Sequence, residues 1–470
     1  MSEDRSLPLP ARTLAPALLG LYAAAAALAP KPVGTLIFLV PLIAVPFAWW
    51  TILKPERWLI LFFAAALLLP PLPLGLGDSG PHPSVLLVAA GAAVGLWNLR
   101  EWRVVYSPLT RAMTLFFLTL LASVAEAAFF SGVPVTLGSL ARVLLFGISL
   151  YVFFFALQWQ EGAAGFTQTR VLYAVATLSA LFACVDFYFQ FPAPAGFGPQ
   201  FIWLRSGVYR RAQGLFYEAS TLGNFCAFFL VMIAAAVLAP GKRSPFGRKW
   251  LLAGGVVFAA ALVLSFSRGS LLNVLVAVAV LLWMRRPSVS IFRLLIITTT
   301  AAASGVVVLR ALYPEFVQAY WMRVLYSVQY AFTATEGLLS GRLASWRTVA
   351  GFLAEHPWHA FFGIGYKTLP YSDYLGHTVI TDNMYLSLLA ETGIIGLGAM
   401  LWLSVEILRA GRRAALSQDP QRSFFGCWIY AFWAGQMVQM MSGDLLTYWR
   451  VLPIYFWVLA NAIRREHSLS

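Results

Sequence analysis

The sequence predicts an all-α, polytopic transmembrane bundle, and three observations predict it. Hydrophobic residues make up 60% of the 470 residues and charged residues only 11%, against about 25% charged in a soluble domain. The apolar residues gather in runs of about 17–25, the length a helix needs to cross a hydrocarbon core. These runs lack the alternation of a membrane β-strand, and inside lipid the backbone must satisfy its own polar groups.

The runs can be taken in order. Leu14–Ala29, behind Arg5 and Arg12, has the outline of a signal peptide; further apolar runs follow at once, so it is expected to stay as the first span. The others fall at 33–53, 58–77, 84–98, 111–130, 139–159, 171–190, 216–239, 250–266, 270–284, 294–310, 384–408, 424–441 and 449–463. This gives about 14 spans, or about 12 if the short runs do not all cross. Residues 1–310 thus carry the first eleven helices, 311–382 a large loop and 383–470 the C-terminal helices.

Charge sets the orientation. Lys54, Arg57, Arg100, Arg103, Arg111, Lys242, Arg243, Arg248 and Lys249 follow alternate spans. Arg285, Arg286, Arg293, Arg409, Arg412, Arg413, Arg422, Arg464 and Arg465 continue the pattern. By the positive-inside rule that side is cytoplasmic, and both termini lie there. The net charge of +14 is explained by these loops, so no nucleic-acid partner is expected. Cys184, Cys226 and Cys427 sit in apolar runs, as small buried hydrophobes rather than a disulfide or zinc framework.

Two substantial loops face the other side. Phe191–Leu215 is rich in Pro and Gly. Ala311–Thr381 is about 70 residues, far beyond a usual connection of about 4–6. Within it Pro314–Phe332 is aromatic-rich and reads as interfacial. Ser340 is placed to cap a helix that runs to about Glu355 and stops before Pro357.

This outer side collects Arg210, Arg211, Arg268, Arg342, Arg347 and Lys367, against the positive-inside bias. Such a set needs anions: lipid headgroups, toward which arginines snorkel, or a phosphate-bearing substrate, which guanidinium forks match bidentately. Nearby acids are Glu218, at the entry of one span, and Asp382, at the entry of another, where with Asn383 it forms an N-cap signature. Glu391 lies roughly 13 Å inside that last span, so it should pair or act. His377 is a second candidate base, or simply an exposed loop histidine. His356 and His359 flank Pro357, a weak metal pattern. There is no paired-carboxylate metal cluster, P-loop or nucleophile elbow; neither a metal nor a cofactor is expected, nor phosphoryl transfer from ATP or serine hydrolysis.

At these residues the chain resembles a known family. Asp382-Asn383-Met384-Tyr385-Leu386 with Glu391-Thr392-Gly393 resembles the end of the large periplasmic loop in the O-antigen ligase and polymerase superfamily. Gly214-Leu215-Phe216-Tyr217-Glu218-Ala219-Ser220 is similar to the Gly-x-Phe-x-Glu-Pro-Ser pattern of its polysaccharide polymerases, with Ala219 in place of proline. Ser265-Phe266-Ser267-Arg268-Gly269, Arg342 to Trp346, and Gly363-Ile364-Gly365 resemble three further elements, in family order.

The resemblance implies a GT-C-like membrane glycosyltransferase of the bacterial inner membrane, with its site on the periplasmic face. It implies inverting, metal-independent transfer of a glycan from undecaprenyl pyrophosphate to a sugar hydroxyl. Asp382 and Glu218, with His377, are then catalytic candidates. The six cations are pyrophosphate ligands, and Asn383, Tyr385 and Trp346 are further substrate contacts. The family's ligases carry histidine directly before that asparagine; Asp382 stands there in this chain, which favours a polymerase acting in O-antigen or exopolysaccharide synthesis. A ligase to lipid A core and a lipid-linked glycan flippase are the alternatives. Lipid-linked oligosaccharide, membrane lipids and a chain-length regulator are the candidate partners.

Overall fold

The computed structural model describes residues 54–72, 80–102, 106–159, 164–194, 200–204, 207–238, 245–284, 314–329 and 342–464, with a few single positions besides. Apart from single residues, the expected spans 14–29, 33–53 and 294–310 lie outside the described residues. So do Ser340 and the cations Arg5, Arg12, Arg103, Lys242, Arg243, Arg285, Arg286, Arg293 and Arg465.

The described chain is all-α apart from one hairpin. Its helices are α1 (Glu56–Leu68), α2 (Pro83–Trp97), α3 (Pro108–Trp159) and α4 (Ala164–Phe189). Strands β1 (Phe201–Leu204) and β2 (Gly207–Arg210) follow, then α5 (Ala219–Val237), α6 (Arg248–Leu264) and α7 (Arg268–Met284). The large loop holds α8 (Pro314–Gln329), α9 (Arg342–Glu355) and α10 (Pro357–Phe362). Helices α11 (Met384–Ala415), α12 (Pro420–Gln439) and α13 (Leu452–Ile463) close the chain. Among the described residues α3, α4, α5 and α11 are long and apolar enough to cross a membrane; α2, α7 and α13 are shorter apolar helices. The chain is a polytopic membrane protein.

Helix α3 runs 52 residues, about 78 Å if straight, more than twice a hydrocarbon core. It does not run straight. Gly132 leaves the helical region at φ 77° and Pro134 follows it. The rings of Phe116 and Phe146 then lie 5.3 Å apart, which only a folded-back pair of arms permits. The expected spans 111–130 and 139–159 are these two arms. Helix α11 is interrupted in the same way, at Gly393, with φ 68°.

The core is aromatic and centred on α12. Phe228 of α5 sits 4.4 Å from the Trp428 ring and 4.3 Å from that of Tyr455. Each such pair adds about 0.5–1.5 kcal/mol beyond its buried area. One polar cluster crosses this core. Asn224 Nδ2 donates to Gln436 Oε1 at 2.5 Å and to Gln439 Oε1 at 2.9 Å. Asn273 Nδ2 donates to the same two oxygens at 3.1 and 2.9 Å, and Tyr455 Oη to Asn224 Oδ1 at 2.6 Å. Amides in an apolar interior must pair, so the cluster fixes the register of α5, α7, α12 and α13.

The Phe191–Leu215 loop holds the hairpin, a small departure from the all-α expectation: β1 and β2 pair antiparallel, Phe201 opposite Arg210. The break at Gly132, the hairpin, the Ser265–Ser267 turn, the segment from Arg342 to Asn383 and the turns between α12 and α13 all gather at one end of the bundle. The contacts that tie them are Ala212 N to Leu264 O at 3.0 Å, Tyr366 N to Ser123 Oγ at 3.3 Å, and Lys367 to Asp444.

Candidate active site

Asn383 starts α11. Its Oδ1 accepts from Tyr385 N at 3.1 Å and Leu386 N at 3.2 Å, satisfying two of the helix's orphan donors. Asp382 therefore has no capping duty. It sits at φ 46°, in the left-handed region that costs a non-glycine residue about 1–3 kcal/mol. That backbone turns its carboxylate onto Arg342, whose Nε donates to Oδ2 at 3.1 Å. One turn on, Trp346 Nε1 donates to Thr381 O at 2.8 Å. The Arg-x-x-x-Trp spacing thus clamps α9 across the start of α11. Among the described residues the other non-glycine positions with positive φ are Gln190, Phe266 and Lys367, all at this same end.

The segment from Gly363 to Leu369 docks on the α11 break. Ile364 N donates to Ala390 O at 3.1 Å and Gly365 N to Glu391 O at 2.9 Å. A side chain on Gly393 would strike the Phe361 carbonyl, and one on Gly363 the Glu391 carbonyl, so the two backbones touch only because both are glycines. Glu391 is buried and accepts from Leu369 N at 3.2 Å. It braces the loop.

Lys367 is buried beneath this loop and paired with Asp444. Burial alone would lower its pKa; the carboxylates of Asp444 and Glu391 outweigh that and raise it. Asp444 also caps the short turn Leu445–Thr447, accepting from Leu446 N at 3.0 Å.

Glu218 precedes α5, half-buried. Burial pushes its carboxyl pKa up; a hydrogen bond from Ser220 opposes this, Asp382 raises it further, Arg211 lowers it and Asp444 raises it. Tyr448 shares this surrounding: burial and then Glu218 push its phenol up. Glu218, Asp382, Asp444 and Tyr448 therefore form one electrostatic cluster, drawn from three distant parts of the chain.

The cations divide. Arg210 is taken by a buried pair with Asp186, Nη2 to Oδ1 at 2.6 Å, and also donates to Phe191 O at 2.8 Å. It holds the hairpin on the end of α4. Arg211 Nε donates to Ser265 O at 2.7 Å, and its guanidinium also bonds Gln200. It is half-buried and acts on Glu218. Arg268 opens α7, also half-buried; beside it, a methyl on Gly269 would lie 2.8 Å from Ser442 Oγ, which places Arg268 next to the Asp444 turn. Arg342 is half-buried against Asp382, while Arg347 and His377 are exposed. Tyr385 Oη donates to Met437 O at 2.7 Å, joining α11 to α12.

The structure thus brings together Glu218, Asp382, Arg211, Arg342 and Lys367, sets Arg268 beside the adjoining Asp444 turn, and puts Arg210 in a separate pair. Sequence reasoning left Asp444 without a motif and passed over Tyr448; the signal was an acid in the Ser-Gly-Asp turn between two apolar runs. His359 is braced by Gly363 O at 3.1 Å and Tyr374 Oη at 3.3 Å, and no metal-holding group of side chains occurs among the described residues. Chemically the cluster offers guanidinium forks for an anionic leaving group beside a carboxylate of raised basicity.

Residues 253–401 match a family model described as O-antigen ligase. The match holds the Arg268, Arg342–Trp346, Gly363–Gly365 and Asp382–Asn383 elements; Glu218 and Arg211 lie before it. No curated protein matches the chain significantly.

Proposed function

We propose, from the match of residues 253–401 to an O-antigen ligase family model and from the motifs that resemble those of the superfamily's polymerases, that this chain is a polysaccharide polymerase. The donor is a glycan on undecaprenyl pyrophosphate and the acceptor a sugar hydroxyl of another lipid-linked repeat unit. The acceptor oxygen attacks the anomeric carbon, the bond to the pyrophosphate oxygen breaks, and undecaprenyl pyrophosphate leaves with the electron pair. The hydroxyl proton passes to Glu218. A single displacement inverts the anomeric centre.

The observation that carries this reading is the juxtaposition of Glu218 with Asp382, itself 3.1 Å from Arg342. Arg211, Arg268 and Arg342 would hold the pyrophosphate, where preorganised donors stabilise charge as it develops. Glu218 suits the base because burial raises its proton affinity. Asp382 would hold Arg342 until phosphate competes for it. In this reading the cluster end is periplasmic, in a bacterial inner membrane with both chain termini cytoplasmic.

A ligase would use the same cluster with lipid A core as acceptor; Asp382 in place of the ligases' histidine favours the polymerase. Purified protein given lipid-linked repeat units, with and without lipid A core, tests the choice. Lengthened lipid-linked chains support a polymerase, and product on the core alone overturns it. A flippase forms no glycosidic bond in detergent.

A further inference from the structure

We propose that α10 is an interfacial membrane anchor, seating the large loop in the outer boundary between headgroups and acyl chains through Trp358, Phe361 and Phe362. The proposal rests on the membrane reading of the chain and not on the reaction assigned to the site.

Trp358 is 73% exposed, Phe361 54% and Phe362 53%. The Trp358 ring lies 6.4 Å from each of the two phenylalanine rings, so they form one platform. Three large aromatic faces on a six-residue helix are not residue left over from core packing, because the opposite side of α10 is already fixed. There His359 meets the edge of Phe130 at 4.9 Å and stacks on Phe352 at 5.3 Å. The backbone at Phe361 and Phe362 is pressed against Gly393.

The surfaces that flank the platform identify what covers it. Directly after Gly393 come Ile394 and Ile395, 56% and 53% exposed on α11, one of the helices apolar enough to cross the membrane. Beside Phe130, at the tip of the first arm of α3, Phe129 is 83% exposed. Both flanks lie beside the backbone breaks of helices apolar enough to span, Gly132 in α3 and Gly393 in α11, so the platform continues an apolar surface fit for lipid. Tryptophan and phenylalanine at that level match the aromatic belt of membrane proteins: a tryptophan ring sits among headgroups with its apolar body toward the chains.

The anchor has a structural consequence. Helix α10 joins α9, which carries Arg342, to the loop that ends at Asp382. Holding α10 in the interface holds the Arg342–Asp382 pair at headgroup height.

The test uses the full chain in nanodiscs. Trp358→Cys, Phe362→Cys and, as a water-facing reference, Asp373→Cys are each labelled with an environment-sensitive fluorophore; the native cysteines are buried or half-buried. Lipids brominated on the upper acyl chain serve as quenchers. Several-fold stronger quenching at positions 358 and 362 than at 373 is the expected result. Equal and weak quenching at all three overturns the proposal. Cross-linking of 358 between copies without lipid quenching overturns it in favour of a protein interface. All three sites are exposed, so the substitutions leave the packed side of the loop intact.

Discussion

Lys367 and Asp444, 77 residues apart, form a buried ion pair that ties the large loop to the turn between α12 and α13. Removing one partner of such a pair typically costs about 3–5 kcal/mol, whereas replacing both by apolar groups is often neutral. Lys367→Met should therefore lower the thermal midpoint in detergent markedly, and Lys367→Met/Asp444→Leu should recover most of the loss. A double variant no more stable than the single one would contradict a paired role. The folded-state pKa of Lys367 is raised, so its stabilisation is fully present below the ordinary lysine value, about 10.4. It fades only as pH climbs through the higher folded value.

Glu218 and Asp382 can be separated by kinetics. Burial raises the Glu218 pKa, so the acid limb of the rate profile should lie above the ordinary glutamate value of about 4.3. Glu218→Gln should lower kcat by about 10²–10⁴-fold and remove that limb. Asp382→Asn should act mainly on KM, through loss of the hold on Arg342. The opposite pattern would move the base to Asp382.

The guanidiniums differ in what they touch, and substitutions should reflect it. Arg268→Ala and Arg342→Ala should stay folded and lose about 10²–10³ in kcat/KM toward lipid-linked oligosaccharide. Arg342→Lys should restore little, since an ammonium cannot offer a planar fork. Arg347 is exposed on the same helix, and Arg347→Ala should change turnover far less. Near-wild-type rates for both Arg268→Ala and Arg342→Ala would remove the pyrophosphate site from this cluster.

Arg210 and Arg211 are neighbours with opposite expectations. Arg210→Ala strands Asp186 inside α4 and should cost about 3–5 kcal/mol, with KM of the folded fraction unchanged. Arg211→Ala should reduce turnover at modest cost in stability. Thermal unfolding and initial rates on the two purified variants distinguish them.

Much of this was legible in the sequence because lipid leaves few solutions. Apolar runs gave the spanning helices, and Pro357 placed the end of α9, which stops at Glu355. The break at Gly132 falls between two expected spans, and the two arms of α3 fall where those spans were expected. The β1–β2 hairpin was not legible, because strands of four residues in a Pro- and Gly-rich stretch carry too little periodicity. In the site, Arg342 was singled out as a cation against the positive-inside bias and Asp382 as an acid at the entry of a span. Their contact, and those of Lys367 with Asp444 and Arg210 with Asp186, depend on the register of distant helices, which no local pattern encodes. Arg450 is the clearest omission. It lies buried at the start of the 449–463 run, donating to Ala66 O at 2.9 Å and Leu69 O at 3.2 Å, and so closes the end of α1. Its partners are backbone carbonyls, which leave no trace in side-chain composition.

In the proposed function this end of the bundle makes a glycosidic bond by one displacement at a lipid pyrophosphate. The most direct measurement is turnover of purified protein in detergent on a lipid-linked oligosaccharide of defined anomeric configuration, with the product analysed by NMR. One undecaprenyl pyrophosphate should be released for each new bond, with the anomeric configuration inverted. Retained configuration, or donor consumed with no glycosidic bond formed, would contradict it.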